Sequence, residues 1–333
     1  MNTKIIPLLK NSSSILIVCH IRPDGDTLGS GLALLHLCEA LNKKADIVTD
    51  SVIPSQYSFM PSCEKVNKPR HQKYDLVLVV DCADADRMGK YHGYAKTHTS
   101  VNIDHHQTND RFAKHNIVVP AASSTCEVVF DILESEGVFN FNTTEQNGAF
   151  RSNYNIPADT LQKMATCLLT GLSTDTGHFM HSSVNSKVMY TAMCLTELGA
   201  DVHYVANKIY RSDSKMRQLM LSRALSKMRF FDDDSICIMT MLLDDFKEVG
   251  ASSLETEGFI NYPLSIASTQ VASTIIQHDK NTYKVSFRSK GIDVSRIAGV
   301  FGGGGHVRAA GCTISGYYED VVDKLLKAVR DFI

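Results

Sequence analysis

Acidic and imidazole side chains stand in four stretches of the sequence where predicted secondary-structure elements end. The stretches are His20 to Asp26 (HIRPDGD), Asp81, Asp104 to His106 (DHH), and Asp175. Carboxylates and imidazoles together suit Mn²⁺, and Mg²⁺ or Zn²⁺ can bind the same groups. Each stretch alone also has an ordinary structural explanation, as a turn, a helix cap or a solvated strand end.

The combination of the four stretches favours chemistry over these ordinary explanations. If they meet, five carboxylates crowd one crevice: Asp24, Asp26, Asp81, Asp104 and Asp175. Their repulsion and desolvation would cost several kcal/mol, on the order of the penalty for unpaired buried charges. Two divalent cations remove this cost, and cations roughly 3.5–4 Å apart lower the pKa of a shared water and hold a phosphoryl group for attack. The residue types therefore predict a dinuclear site.

The elements that must position these side chains alternate between strand and helix. Apolar, β-branched runs predict strands at 14–20, 45–49 and 75–81, and a further strand ending at Ile103. Helical spacing of apolar residues predicts helices from Leu28 to Asn42 and from Ser123 to Glu134. This alternation predicts an α/β, doubly wound parallel sheet, and ligands of such sheets bind outside the carboxyl ends of the strands.

The second part of the chain has a different pattern. A charged, largely helical stretch leads to strands predicted at 236–243, 271–277 and 283–288, and a closing helix is predicted at 318–332. We therefore predict a catalytic domain at 1–195, a helical connector at 196–230 and a smaller α/β C-terminal domain at 231–333. A cleft is expected between the two domains.

Composition excludes several classes of protein. The chain has 333 residues, a formal net charge of −2 and 44% hydrophobic residues, as expected for a globular protein. A protein that holds long nucleic acid through its phosphates should show a basic stripe or tail, and none is visible. The nine scattered cysteines indicate reduced thiols rather than a disulfide framework. No apolar run has membrane-spanning length, so we expect a cytoplasmic protein without a membrane partner, and the charged connector could support a homodimer.

A glycine run near the C-terminus is a second candidate site. Gly302 to Gly305 precede His306, and backbone N–H groups without side chains can wrap an anion. Arg288 could add a bidentate grip on a phosphate, and Arg308 is a weaker candidate. The alternative is a flexible loop. The candidate substrate-binding residues are Arg288, Gly303, Gly304, Gly305, His306 and Arg308.

The order and spacing of these motifs resemble a known superfamily. His20-x-x-x-Asp24-x-Asp26, Asp81, Asp104-His105-His106 and Thr174-Asp175-Thr176-Gly177 are similar to the four motifs of the DHH phosphoesterases. The stretch from Gly302 to Gly311 (GGGGHVRAAG) resembles the DHHA1 domain of the same superfamily. The compact length resembles the nanoRNase / pAp phosphatase branch, which degrades very short oligonucleotides and 3′-phosphoadenosine 5′-phosphate (pAp).

The resemblance implies a role for each motif residue. Two Mn²⁺ ions are implied, one held by His20 and Asp24, and the other by Asp26, His105 and Asp175. Asp81 would bridge both ions. Asp104 would orient a ligand imidazole from outside the coordination sphere, and His106 would face the substrate phosphate. Catalytic roles thus fall to His106, Asp81 and Asp104.

The implied activity is that of a Mn²⁺-dependent phosphohydrolase. It would degrade short single-stranded RNA or DNA oligonucleotides (nanoRNA) to mononucleotides and dephosphorylate pAp. A phosphodiesterase for cyclic di-AMP or the linear dinucleotide pApA remains an alternative. Inorganic pyrophosphatases share the metal motifs, but the glycine run favours a substrate with a nucleotide end. Long-strand exonucleases also share them, but they need extra nucleic-acid-binding modules, for which the length of this chain leaves no room. A nucleotide-binding sensor without catalysis is a more distant alternative.

Overall fold

The computed structural model describes residues 3–141 and 152–333, and the chain divides into two compact units, Met1–Ser212 and Asp213–Ile333. In the described part of the first unit, the central sheet has five strands in the order β2-β1-β3-β4-β5. The strands are β1 (Ser14–Cys19), β2 (Lys44–Val48), β3 (Leu76–Val80), β4 (Thr99–Asp104) and β5 (His115–Val118). Every neighbouring pair is parallel, and the central strands β1 and β3 are buried along their whole length. The predicted parallel α/β sheet is confirmed.

The helices of the first unit pack on this sheet or on other helices. They are α1 (Ile5–Asn11), α2 (Gly25–Ala40), α3 (Tyr94–Thr97), α4 (Thr125–Ser135), α5 (Ala158–Asp175), α6 (Ser186–Glu197) and α7 (Val202–Tyr210). Helices α2 and α5 pack very closely, because a Cβ at Gly29 would lie 2.4 Å from the carbonyl oxygen of Cys167 and a Cβ at Gly171 would lie 2.8 Å from the Cα of Asp26. This close approach brings the last turn of α5 beside the first turn of α2.

The second unit is a mixed α/β structure. Its described sheet has six strands in the order β10-β11-β9-β8-β7-β6, and only the β7–β8 pair is parallel among them. The strands are β6 (Arg229–Phe231), β7 (Ile236–Met241), β8 (Val271–Asp279), β9 (Thr282–Ser289), β10 (Gly304–His306) and β11 (Ala309–Ser315). The helices are α8 (Lys215–Ser226), α9 (Leu243–Val249), α10 (Asn261–Ser265), α11 (Val294–Val300) and α12 (Tyr318–Arg330). Of all the helices in the described ranges, none has both the length and the apolar character needed to cross a membrane.

The stretch predicted as a helical connector does not form an element of its own. Helix α7 packs on the first unit, where Val205 is buried in the core. Helix α8 packs on the second unit through Met220 and Ala224. The division falls between these helices, at Ser212 and Asp213. Charge and helical periodicity predict the helices, but they do not specify which core covers each apolar face.

Candidate metal centre

The sheet order places the first two motifs side by side. His20 follows β1 and Asp81 follows β3, and these strands are hydrogen-bonded neighbours with Cys19 opposite Val80. From β1 the chain passes to β2 on one side, and the later strands β3, β4 and β5 lie on the other. The gap between β1 and β3 is thus the topological switch point, where α/β sheets of this order hold their ligands.

The structure brings the predicted ligands together in two groups of possible metal-binding atoms. One group is His20, Asp24 and Asp81, and the other is Asp26, His105 and Asp175. A further set of possible ligands, Asp81 with His105 and His106, overlaps both groups. Asp81 faces both of them with different oxygens. Its Oδ2 lies 3.4 Å from Nε2 of His20, and its Oδ1 lies 3.7 Å from Nε2 of His105. A carboxylate in this position can bind one cation through each oxygen.

The second group combines deep burial with crowded negative charge. Asp26 is fully buried, and Oδ2 of Asp175 lies 3.3 Å from Nε2 of His105. Burial, followed by the charges of Asp175 and Asp81, raises the pKa of Asp26 well above its usual range. Burial and neighbouring carboxylates also raise the pKa of Asp175 to about 6. The imidazole of His105 faces both carboxylates, but one positive charge does not balance two negative ones, and a bound divalent cation would do so.

The two predicted ligand imidazoles have the orientation typical of metal-binding histidines. Nδ1 of His20 lies 2.8 Å from the carbonyl oxygen of Ile21, and Nδ1 of His105 lies 3.4 Å from that of Ala122. An Nδ1–H that donates to a carbonyl leaves Nε2 as the metal-binding atom. Burial opposes protonation of both rings, but the carboxylates facing Nε2 outweigh it and raise the pKa of each to about 10.

Asp24 has two roles. Its side chain caps α2, because Oδ1 accepts hydrogen bonds from the N–H groups of Asp26 at 3.1 Å and Thr27 at 3.2 Å. The same oxygen lies 3.6 Å from Nε2 of His20, and 49% of the side chain is exposed. Burial would raise the pKa of Asp24, but His20 and the two N–H groups together lower it. The helix cap therefore fixes a candidate ligand in its ionised form.

Asp104 contacts a different imidazole from the one that the sequence suggested. It was expected to orient a ligand imidazole, with His105 as that ligand, but its Oδ1 lies 2.8 Å from Nδ1 of His106. Its Oδ2 accepts a hydrogen bond from Asn109 at 2.6 Å. His106 Nδ1 also lies 3.6 Å from Oδ1 of Asp81, so His106 stands beside the shared carboxylate.

The first turn of α4 contributes contacts that the sequence interpretation missed. The two oxygens of Asp26 accept hydrogen bonds from the N–H groups of Thr125 at 2.6 Å and Cys126 at 2.8 Å. The Thr125 hydroxyl donates to Oδ1 of Asp81 at 3.0 Å. Ser123 to Thr125 were recognised as a helix start, and a helix start attracts anions. That property could have suggested a carboxylate partner, but not which one.

In the second unit, strand pairing brings together two of the predicted substrate-binding residues. Arg288 of β9 and His306 of β10 both pair with Ala309 of β11, so all three side chains share one face of the sheet. The core face of β9 carries Phe287, and Arg288 is on the opposite face. Arg308 is exposed in the turn before β11.

The glycine run has a structural role as well as a possible binding role. A Cβ at Gly303 would lie 2.3 Å from the carbonyl oxygen of Gly311, and one at Gly305 would lie 2.5 Å from that of Ala309. These two glycines allow β10 to approach β11. A Cβ at Gly304 would meet nothing within 4 Å, so packing does not explain a glycine there. The run is therefore partly a paired strand and not the flexible loop that was the alternative explanation.

The donor set of the first unit fits divalent cations. Imidazole nitrogens and carboxylate oxygens converge within 4.8 Å of one another in each group. This mixture of nitrogen and oxygen donors, without thiolate, suits Mn²⁺ and related divalent ions better than soft metals. Asp26 and Asp81 are both almost completely buried, and such carboxylates need a compensating positive charge.

Comparison with known proteins agrees with the geometry. Residues 14–172 match the DHH family, N-terminal domain, and residues 233–333 match the DHHA1 domain. The bifunctional oligoribonuclease and PAP phosphatase NrnA of Thermus thermophilus is 29% identical over 322 residues, which cover 95% of this chain and 89% of the relative. The cyclic-di-AMP phosphodiesterase GdpP of Bacillus subtilis is 24% identical over 348 residues, which cover 98% of this chain and 49% of that protein.

A solved structure shows the same fold. The crystal structure of an exopolyphosphatase-related protein from Bacteroides fragilis matches with a TM-score of 0.85 and 24% identity. The match covers 98% of this chain and 94% of the other. The two matched domains, their order and the residues gathered at the switch point agree with the resemblance seen in the sequence. This chain therefore belongs to the DHH family of phosphoesterases and carries a DHHA1 domain after its DHH domain.

Proposed function

We propose that this protein is a phosphohydrolase that uses two Mn²⁺ ions to degrade short oligonucleotides to mononucleotides and to remove a phosphate from pAp. The observation that carries this proposal is the position of Asp81, whose two oxygens face the two groups of candidate ligands. The similarity to NrnA, an oligoribonuclease and PAP phosphatase, supports the substrate class. Other divalent ions, including Mg²⁺, suit the same donors.

The residues of the first unit would hold and polarise the reacting phosphate. When bound, paired divalent cations supply a water of lowered pKa and neutralise the phosphoryl oxygens. His106 would donate a hydrogen bond to the phosphate. The hydrogen bond from its Nδ1 to Asp104 raises the pKa of His106, so a positively charged donor is favoured there. Asn109 would hold Asp104 in place through its own hydrogen bond.

The residues of the second unit would bind the nucleotide. Arg288 and His306 lie on one sheet face, on either side of Ala309. Arg288 supplies a planar fork of donors that matches two phosphate oxygens, and His306 supplies a further donor. Gly304 offers backbone that a ligand can approach, because it has no side chain and no packing partner at its Cβ position. These groups would bind a phosphate of the nucleotide.

A phosphodiesterase for cyclic di-AMP or pApA is the second candidate. The similarity to GdpP, a cyclic-di-AMP phosphodiesterase, extends over 98% of this chain and supports it. Both candidates require the same metal centre and differ only in the substrate. A sensor that binds nucleotide without hydrolysis would not need a carboxylate shared between two cation groups.

The proposal is tested with one variant and one substrate panel. Asp81→Asn should lose at least about 10³-fold in turnover, because it removes the charge shared by both cations. Asp110→Asn, an exposed carboxylate on the loop after β4, is the matched control and should keep wild-type turnover. Both variants are assayed with Mn²⁺ on pAp, pApA, cyclic di-AMP, RNAs of two to ten nucleotides, and pyrophosphate. Wild-type turnover by Asp81→Asn would contradict the shared-metal site, and turnover of pyrophosphate alone would contradict the substrate class.

A further inference from the structure

The buried hydroxyl of Thr125 has a partner that connects it to both cation groups. We propose that Thr125 is a positioning residue, which fixes the orientation of the Asp81 carboxylate so that each oxygen faces one group. This inference rests on the proposed two-metal function and adds a residue to it. Thr125 is the first residue of α4 and is fully buried.

Two contacts hold Thr125 against the site. Its N–H donates to Oδ2 of Asp26 at 2.6 Å, while its hydroxyl donates to Oδ1 of Asp81 at 3.0 Å. Asp26 belongs to one candidate group only, whereas Asp81 faces both. One residue therefore ties the shared carboxylate to a carboxylate of the second group. The backbone contact anchors the helix start, so the hydroxyl has a defined position.

The Asp81 carboxylate needs such a restraint. The torsion that turns an aspartate carboxylate is broad, so packing alone holds it weakly. Asp81 also has a positive φ of 60°, which is an uncommon backbone conformation for a residue other than glycine. The hydroxyl of Thr125 contacts the oxygen that faces His105, and the other oxygen then remains directed at His20. The hydrogen bond thus determines which oxygen of Asp81 faces which group of candidate ligands.

The residue type also fits this role. Threonine is branched at Cβ, and the two heavy atoms there restrict its χ1 angle. A serine would keep the hydroxyl with more freedom, and a valine would keep the shape without the donor. A hydrogen bond made from outside the coordination sphere commonly changes metal affinity by about 10- to 100-fold when it is removed.

The experiment compares Mn²⁺ binding in variants at two buried threonines. Free Mn²⁺ is measured by its electron paramagnetic resonance during titration of metal-stripped full-length protein. Thr125→Val should weaken at least one Mn²⁺ site by about 10- to 100-fold, and Thr125→Ser should stay within about 3-fold of wild type. Thr191→Val is the matched control, because Thr191 of α6 is also fully buried and its hydroxyl has no hydrogen-bond partner among the described residues. It should bind Mn²⁺ like wild type.

A second pair of variants separates the effect of the hydrogen bond from any effect on folding. Thr125→Ser and Thr125→Ala both lack the methyl group and differ only in the hydroxyl, so a difference in Mn²⁺ affinity between them isolates the hydrogen bond. Equal affinity in Thr125→Val and wild type, or in Thr125→Ser and Thr125→Ala, would overturn the role of Thr125 and leave the proposed function intact. A wild-type protein that binds no Mn²⁺ would overturn both.

Discussion

Crowding of carboxylates in the metal centre predicts that Asp175→Asn stabilises the metal-free protein. Asp175 ends α5, and its side chain is only 23% exposed. Burial, with the charges of Asp81 and Asp24, raises its pKa to about 6 despite the favourable contact with His105. The asparagine is nearly the same size and has no charge. It therefore removes the repulsion without leaving a cavity.

The raised pKa gives the size and the sign of the effect. An acid whose pKa is higher in the folded state contributes stability below its unfolded pKa, and that contribution is lost as the pH rises through the folded pKa. For Asp175 the loss runs from about pH 4 to about pH 6. It amounts to on the order of 3 kcal/mol at neutral pH, since one pKa unit corresponds to about 1.4 kcal/mol. The metal-free variant should therefore be more stable than wild type at pH 7.5, and the difference should shrink towards pH 4.5.

Mn²⁺ should remove most of this difference in stability. A cation present at 100 times its dissociation constant stabilises the folded state by about 2.7 kcal/mol per site. Mn²⁺ should stabilise wild type by this amount at each site. In Asp175→Asn it should give little stabilisation at the site that includes Asp26 and His105. The assay is urea unfolding of full-length protein at pH 4.5 and 7.5, with EDTA or with MnCl₂. The variant is thus expected to be the more stable protein without metal and the less active one with it.

The control is Asp201→Asn. Asp201 caps α7 by accepting a hydrogen bond from the N–H of Tyr204, and asparagine caps helices equally well. This variant should match wild type under all four conditions. If Asp175→Asn were less stable than wild type without metal at pH 7.5, the reasoning from charge crowding would be refuted. If Mn²⁺ stabilised Asp175→Asn as much as wild type, Asp175 would not be a ligand.

Four further predictions concern other groups. Asn109→Ala should lower kcat by about 10-fold with KM little changed, because Asn109 donates to the carboxylate that orients His106; an altered KM alone in steady-state kinetics would contradict this. Mn²⁺ binding at pH 7.5 should release protons, because the pKa of His20 and of His105 is raised to about 10 in the metal-free protein; calorimetry in buffers of different ionisation enthalpy measures the release. The protonated imidazoles stabilise the metal-free protein, and this stabilisation should fall as the pH rises from about 6.5 through 10. Over the same range the affinity for Mn²⁺ should rise, because the imidazoles lose their protons. A fall in Mn²⁺ affinity would exclude them as ligands. Arg288→Lys should raise KM for pAp by about 10-fold with kcat little changed, since lysine lacks the planar fork; an unchanged KM would place the nucleotide elsewhere.

Much of the fold could be predicted because it depends on local patterns. Apolar, β-branched runs such as Leu76 to Val80 form central strands wherever both faces are covered, and the structure has them there. The placement of Asp81 directly after such a run is also local information. The parallel sheet then brings strand ends to one edge, so the convergence of motifs could be inferred without coordinates.

The sequence alone determined the parallel sheet, the identity of the motif residues and the chemistry that their types allow. Only the tertiary structure decided which atoms meet: that Asp104 holds His106, that Thr125 donates to Asp81, and that α7 and α8 belong to different units. These contacts join residues distant in the chain, as for Thr125 and Asp81, or depend on the direction of a side chain at a strand end, as for Asp104 and His106. A pattern of residue types indicates which side chains an element carries. Hydrogen bonds between elements, however, depend on donor–acceptor distances that must be correct to within a few tenths of an ångström. The packing of the whole unit sets those distances.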